Sequence, residues 1–496
     1  MAGHTLHVIS HSHWDREWYL PLELHRRRLV TLLDDLLEVF DRDPAFGSFH
    51  LDGQAIPLED YLAIRPQQRA RLQRAAQARR LTVGPWYVLQ DEFLTSAEAQ
   101  ARNLLYGLRA AAEFAPPLMV GYLADSFGHI GQMPALLRGF GIDNAVFGRG
   151  LRKFDPSADP ALPAGERGYH SELTWRGADG AEILGVLMTN WYSNAMDIPS
   201  EPAACVARFG AIRDAAARYA TTPHLLLMNG CDHTPCQLNI SELIATGRAG
   251  LDETIVHSRL DDYLAAVRDS LGELEVATGE LRSEYTDGWG TLTDVLSARL
   301  YLKQANWRCQ GELEHYLEPL QALGGLLGLA PDRDFRAYLW KLLLQNHPHD
   351  SICGCSIDPV HREMETRFEK VEQLAGQLAG EGLQALATQV DTSPLPDGAS
   401  AVVVFNPLGF DREELVEAVL DWPEETALAA LRVTNAAGEE LPAELAEDQG
   451  RVWDYDLPAD RFRVPYYRRR VVVRFQAAVP ALGYATFTVT PLATAP

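Results

Sequence analysis

Cysteine is scarce in this chain, six in 496 residues, too few and too scattered for a disulfide framework. Long apolar runs are missing as well: no stretch approaches the roughly 18 uninterrupted apolar residues that a membrane-spanning helix needs. The opening MAGHTLHVISHSHWDREW lacks a basic n-region and turns polar after a short apolar run, unlike a signal peptide. Positive charge is short too. Against 68 Asp and Glu stand 44 Lys and Arg, a formal charge of −24. Such a field repels phosphate, which argues against nucleic acid or an anionic membrane as a partner. The expectation is a soluble, acidic, cytoplasmic protein. What is there is ordinary: 47% hydrophobic and 23% charged residues suit a globular chain rather than a disordered or fibrous one. At roughly 150 residues per domain, the length predicts about three domains.

The pattern changes character twice. Over residues 1–275, short apolar runs (6–9, 81–83, 118–123, 144–147, 183–187 and 225–228) alternate with amphipathic stretches such as 97–114, 203–219 and 258–274. Apolar runs ending in polar residues and separated by helices read as buried parallel strands of βα units. From 285 to 392 the spacing becomes helical, with segments 295–327, 334–345 and 359–390 predicting a three-helix bundle. A polar break at 346–356 interrupts it. After a Pro-, Ser-, Asp- and Gly-rich link, residues 398–496 turn to β, with strands expected at 401–405, 461–464, 470–475 and 484–489. The fold class is therefore α/β: an N-terminal parallel, barrel-like α/β domain, a three-helix bundle, and a β-rich domain.

In parallel α/β folds, chemistry collects at the C-terminal ends of strands, and four polar clusters sit at such ends or in the helical break. The first is HSHWDREW, after the run 6–9. In extended backbone residues two apart share a face, so His11, His13 and Asp15 would point together, a donor set suited to zinc or another divalent ion. The second, LADSFGH, offers Asp125 as ligand, nucleophile or helix cap. The third, MNGCDHTP, places Asp232 beyond a strand, where burial or a second carboxylate would raise its pKa; a turn residue before Thr-Pro is the plain alternative. The fourth, NHPHDSICGCS, could return His349 to a metal site. Its Cys353 and Cys355 could themselves bind zinc, but no second cysteine pair closes a four-ligand site, and packing accounts for them better.

HSHWDREW, GYLADSFGHIGQMP, MNGCDHTP and NHPHDSICGCS occur in the order seen in glycoside hydrolase family 38, the zinc-dependent retaining α-mannosidases, and the chain resembles that family from residue 4 to about 380. LRSEYTDGWGTLTDVLSARLYLKQAN looks like the family's entry into its helical bundle, and the β segment from VVVFNPLGF resembles it more loosely. The resemblance implies an α-mannosidase holding one zinc ion per chain. His13, Asp15, Asp125 and His349 match the zinc ligands. Asp125 is also the nucleophile, and Asp232 matches the general acid/base. Trp18, Arg149, Asp350 and, by a weaker match, Tyr192 correspond to residues lining the sugar site. His11 becomes a neighbour rather than a ligand.

The implied chemistry uses two carboxyl groups about 5–5.5 Å apart, with zinc gripping the sugar 2- and 3-hydroxyls. The implied partner is an α-mannoside or a mannosylated small molecule, with a homo-oligomer compatible. HSHWDREW and HPHDSICG stand where Golgi and lysosomal members carry HSHNDPGW and HHDAITGT, so the version resembles bacterial enzymes acting on simple α-mannosides or mannosylglycerate. The family usually continues for several hundred residues of β structure, some of it closing the sugar site. Two other readings stay open: a metal-dependent amide or ester hydrolase of deacetylase type, and a non-catalytic mannose-binding protein. Arg16 and Arg152 could serve a charged substrate, although solvated positions suit them better, and Trp86, Tyr87 and Trp191 could line subsites or fill the core.

Overall fold

The computed structural model describes residues 3–284, 289–393 and 395–494; residues 285–288, where the helical region was expected to begin, lie outside the described residues. The chain divides into two compact units, one of Met1–Cys309 with Tyr338–Val371, the other of Gln310–Ala337 with Glu372–Pro496. The helices of the expected bundle contribute to both.

In the first unit the apolar runs become buried, mostly parallel strands shared between two five-stranded sheets. Thr5–His11 is the centre of the first sheet. Its residues Thr5 to Ser10 pair with His224–Asn229, while its N- and C-terminal ends pair with Thr254–His257 and Phe49–His50, and Leu81–Thr82 adds the far edge. The second sheet runs Val276–Thr278, Glu172–Arg176, Glu182–Leu187, Asn144–Phe147, Gly121–Leu123, parallel except between Glu172–Arg176 and Glu182–Leu187. Ile9, Tyr122, Val146, Phe147, Val186 and Met228 belong to one buried cluster. Strands covered on both faces must be apolar throughout, which is why they read as unbroken runs. Trp86 and Tyr87 are also buried core side chains; the Trp86 indole donates to the Tyr122 carbonyl at 3.0 Å and the Tyr87 hydroxyl to Glu59 at 2.8 Å.

The first expected helix of the bundle is broken: a 3₁₀ turn, Thr293–Ser297, precedes Leu300–Gly311, a π-type turn at Glu312–Leu317 and Glu318–Leu326. Arg333–Leu344 and Asp358–Ala387 follow, with the short helix His349–Cys353 between them.

The β part of the second unit is antiparallel. One sheet orders Ser400–Asn406, Gly483–Leu492, Ala430–Thr434 and Glu440–Leu441; the other orders Arg412–Trp422, Val464–Val479 and Ala443–Asp456. Alternation within Val464–Val479 buries Val471, Val473, Phe475, Ala477 and Val479 against Trp422, Val433 and Phe487, as period-two patterning requires. The strand expected at 461–464 is corrected: the Arg461 amide turns back to the Pro458 carbonyl, and pairing begins only at Val464. Arg412–Trp422 and Ala443–Asp456 escaped the reading because their exposed faces are rich in Glu and Asp.

Candidate active site

The parallel strands of the first unit deliver their next residues to one place. His13 follows Thr5–His11, Asp52 follows Phe49–His50, Asp125 follows Gly121–Leu123, Arg149 follows Asn144–Phe147, and Asp232 follows His224–Asn229. Close backbone approach holds these loops together. Gly230 touches the end of Thr5–His11, where a Cβ would lie 2.0 Å from the His11 carbonyl oxygen, and a bridge pairs His13 with Asp232. The short helix His349–Cys353 adds His349, whose Nδ1 lies 3.2 Å from the Leu89 carbonyl.

Two imidazoles and three carboxylates converge. His13 Nε2 is 3.2 Å from Asp15 Oδ1 and 3.8 Å from Asp125 Oδ2. His349 Nε2 is 3.4 Å from each of the same two atoms and 3.8 Å from Asp350 Oδ2. Both Nε2 atoms are buried and lack a hydrogen-bond partner. One ligand atom from each of His13, Asp125 and His349 lies within 4.8 Å of the others, and the same holds for Asp15, His349 and Asp350. This nitrogen and oxygen donor set, with unpartnered imidazole nitrogens facing carboxylate oxygens, fits a zinc-like divalent cation. The electrostatics agree. Burial would lower the His349 pKa, but Asp350, Asp125 and Asp15 outweigh it and raise it to about 10. Burial likewise opposes charge on His13, where Asp52 and Asp15 win and raise it well above its ordinary value. The carboxylates demand positive charge here.

The spacing argument had His11 beside His13 and Asp15. Instead its Nε2 meets the Tyr192 carbonyl at 2.7 Å, inside the wall rather than the cluster. Asp52, unnoticed in the sequence, meets His13 Nδ1 at 3.2 Å and accepts from the Trp14 amide at 2.8 Å and Gln54 Nε2 at 3.1 Å. It fixes the imidazole so that Nε2 faces the cluster. His233, also unnoticed, puts Nε2 3.2 Å from Asp15 Oδ2.

The two candidate catalytic carboxyls are pushed apart in acidity. Burial alone would raise Asp125, yet Arg149, then His349 and His13, hold it below the ordinary carboxylate range. Arg149 grips only Oδ1, at 2.8 Å through Nε and 2.6 Å through Nη2, while Oδ2 faces the histidines. Burial raises Asp232, with Asp15 and Asp125 adding to it against His13 and the Tyr192 hydroxyl. That hydroxyl donates to Asp232 Oδ1 at 3.0 Å.

Among the other residues singled out, Trp18 is half-buried with its ring 6.2 Å from His233, and Asp350 is buried beside His349. Trp191 is buried under the Arg149 guanidinium, 4.9 Å away, and stacks at 6.2 Å on the exposed Trp289. Arg16 is not solvated, as expected, but buried in a bidentate pair with Asp60 at 2.8 and 3.0 Å. Arg152 is more exposed, 3.7 Å from Asp155.

A strand-end cluster of this kind, with one carboxyl pushed down in pKa and another pushed up, is the arrangement glycosidases use. Family models agree: residues 3–286 match the glycosyl hydrolases family 38 N-terminal domain, 291–386 the alpha mannosidase middle domain, and 412–491 the family 38 C-terminal domain 1. The chain belongs to glycosyl hydrolase family 38. It is 45% identical, over 95% of its length and 54% of the relative's, to a Halalkalibacterium halodurans protein bearing the provisional name mannosylglycerate hydrolase. The crystal structure of an alpha-mannosidase from Enterococcus faecalis V583 is similar with a TM-score of 0.91 and 40% identity, covering 99% of this chain and 56% of that one. A second Enterococcus faecalis structure, of a family 38 protein, matches with a TM-score of 0.81 and 33% identity, covering 100% of this chain and 55% of that one. The chain thus spans about half the length of these relatives.

Proposed function

We propose that this chain carries the active site of a zinc-dependent α-mannosidase that cleaves terminal α-mannosidic bonds with retention. The observation that carries the reading is the divergence of Asp125, whose acidity Arg149 strengthens, from Asp232, whose pKa burial raises. Asp125 attacks the anomeric carbon while Asp232 gives its proton to the departing glycosidic oxygen, leaving a mannosyl ester on Asp125. Asp232, now a carboxylate, takes a proton from water as that water attacks the anomeric carbon and frees Asp125. His13, Asp15, Asp125 and His349 would hold the zinc, which when bound supplies an electrophilic anchor for the sugar 2- and 3-hydroxyls. Arg149 keeps one Asp125 oxygen occupied and orients the other. Trp18, Tyr192 and Asp350 line the sugar site, with Tyr192 steadying Asp232.

The substrate class is an α-mannoside, and the halodurans relative's name makes mannosylglycerate the natural one to try beside an aryl mannoside. All six cysteines are free thiols, which supports a reducing, cytoplasmic location. No described helix is long and apolar enough to cross a membrane.

The test is hydrolysis of 4-nitrophenyl α-D-mannopyranoside and mannosylglycerate, zinc-replete against chelated, with Asp125→Ala and Asp232→Asn alongside. Zinc-dependent release, abolished in Asp125→Ala and yielding the α-anomer first by NMR, supports the reading. Asp232→Asn should lose about 10²–10⁴-fold on substrates with poor leaving groups and less on activated aryl mannosides. Release indifferent to both zinc and Asp125 would overturn it.

A further inference from the structure

The Cys-Gly-Cys run of the fourth motif has no part in the proposed reaction, yet it lies against the sugar-site carboxylate. Cys353 ends the short helix His349–Cys353, and Gly354 at φ +90° turns the chain so that Cys355 folds back over it. The left-handed turn is crowded by Arg299, whose side chain would lie 3.2 Å from a Cβ at Gly354, so the loop is held rather than free. One ligand atom from each of Asp350, Cys353 and Cys355 lies within 4.8 Å of the other two. The Cys355 thiol is 3.0 Å from Asp350 Oδ1, on the carboxylate whose Oδ2 faces His349. Cys355 is exposed while Cys353 and Asp350 are buried, so the cluster is open on one side.

We propose that Asp350, Cys353 and Cys355 form a second cation site, selective for a thiophilic divalent ion such as zinc or cadmium. Two thiolates and a carboxylate are soft and borderline donors, unlike the nitrogen and oxygen set of the neighbouring cluster. Bonds of about 2.3 Å to sulfur and 2.0–2.2 Å to oxygen require Cys355 Sγ and Asp350 Oδ1, 3.0 Å apart, to open slightly, a change that side-chain rotation can supply. Three protein ligands with an open fourth position leave room for water. Binding releases the two thiol protons to solvent. Lys303, whose ammonium donates to the Cys353 carbonyl at 2.7 Å, and Arg299, whose Nε donates to the Gly354 carbonyl at 3.1 Å, hold the backbone of the turn that carries both thiols. The cation would also draw Asp350 Oδ1 away from the sugar; that consequence, inhibition competitive with mannoside, rests on the proposed function of Asp350.

The test is titration of the reduced, zinc-loaded full chain with Cd²⁺, followed by thiolate-to-cadmium charge-transfer absorption and by ions bound per chain. Only thiolate ligands give that absorption, so displacement of zinc from the histidine cluster does not mimic it. Expected is a saturable band with one additional ion per chain, both lost in Cys355→Ser, a variant at an exposed position, and in Cys353→Ala. A second ion that binds equally to both variants, no band in the wild type, or ready closure of a Cys353–Cys355 disulfide in place of metal uptake would overturn the site. Competitive inhibition by Cd²⁺ that disappears in Cys355→Ser supports the site and the role of Asp350 together. A band without inhibition supports the site and overturns the sugar-binding role of Asp350.

Discussion

A single hydroxyl sits between the two faces of the proposed acid. Tyr192 donates to Asp232 at 3.0 Å and so favours the ionised form. Asp232 serves as the acid only while protonated, so kcat/KM falls as pH rises through its pKa in the free enzyme. Removing the hydroxyl in Tyr192→Phe raises that pKa further, and the alkaline limb of the kcat/KM profile should move to higher pH; a limb that stays or moves down contradicts the pairing. Asp52 acts at one remove. It faces His13 Nδ1 with both oxygens from a fully buried position, and the Trp14 amide and Gln54 hold Oδ2 in place. Asp52→Asn keeps the shape and weakens the grip, so zinc affinity should drop about 10–100-fold in competition with a chromophoric chelator, while activity returns at saturating zinc. His13 and Asp125 were legible in the sequence as residues past apolar runs. Asp52 was not, because its strand, Phe49–His50, is only 2 residues long and too short for periodicity to mark.

At the scale of elements, the first motif is anchored to a distant helix. Glu17, fully buried, is gripped by Arg367 of Asp358–Ala387 through two contacts of 2.7 Å and also accepts from Ser351 at 3.1 Å. Thus the HSHWDREW loop and the His349 segment share one buried carboxylate. Glu17→Ala leaves a buried guanidinium unpaired and should cost about 3–5 kcal/mol in urea unfolding. Asp214→Ala, which breaks the solvent-exposed pair with Arg213, should leave the urea midpoint nearly unchanged. Equal losses in the two variants would mean that Glu17 does not anchor the loop. The sequence showed Arg16 and Glu17 as charged loop residues; that both are buried depends on Asp60 and Arg367 arriving from elsewhere.

On the scale of the molecule, the proposed zinc ligands come from loops as far apart in sequence as His13 and His349, all within the first compact unit. An ion that binds only their assembled arrangement stabilises that unit by mass action. At free zinc a hundredfold above Kd the contribution is about 2.7 kcal/mol. Chelation should therefore lower the Tm of the transition in which that unit unfolds, and zinc should restore it; an unchanged Tm would mean that these side chains hold no ion in solution.

The sequence by itself determined the alternation of buried strands and helices, the change to β structure near residue 400, and which polar residues stand at strand ends. Those features are local: a strand buried on both faces must be apolar along its length, and the chain must turn polar where it leaves the sheet. The division of the strands between two sheets, the packing of His11 against the Tyr192 carbonyl, the entry of Asp52 and His233, and the opposite acidities of Asp125 and Asp232 were decided only by tertiary structure. Each depends on which distant group is brought near, Tyr192 to His11, Arg149 to Asp125, and on how completely water is removed. Neither proximity nor desolvation is a property of residue order.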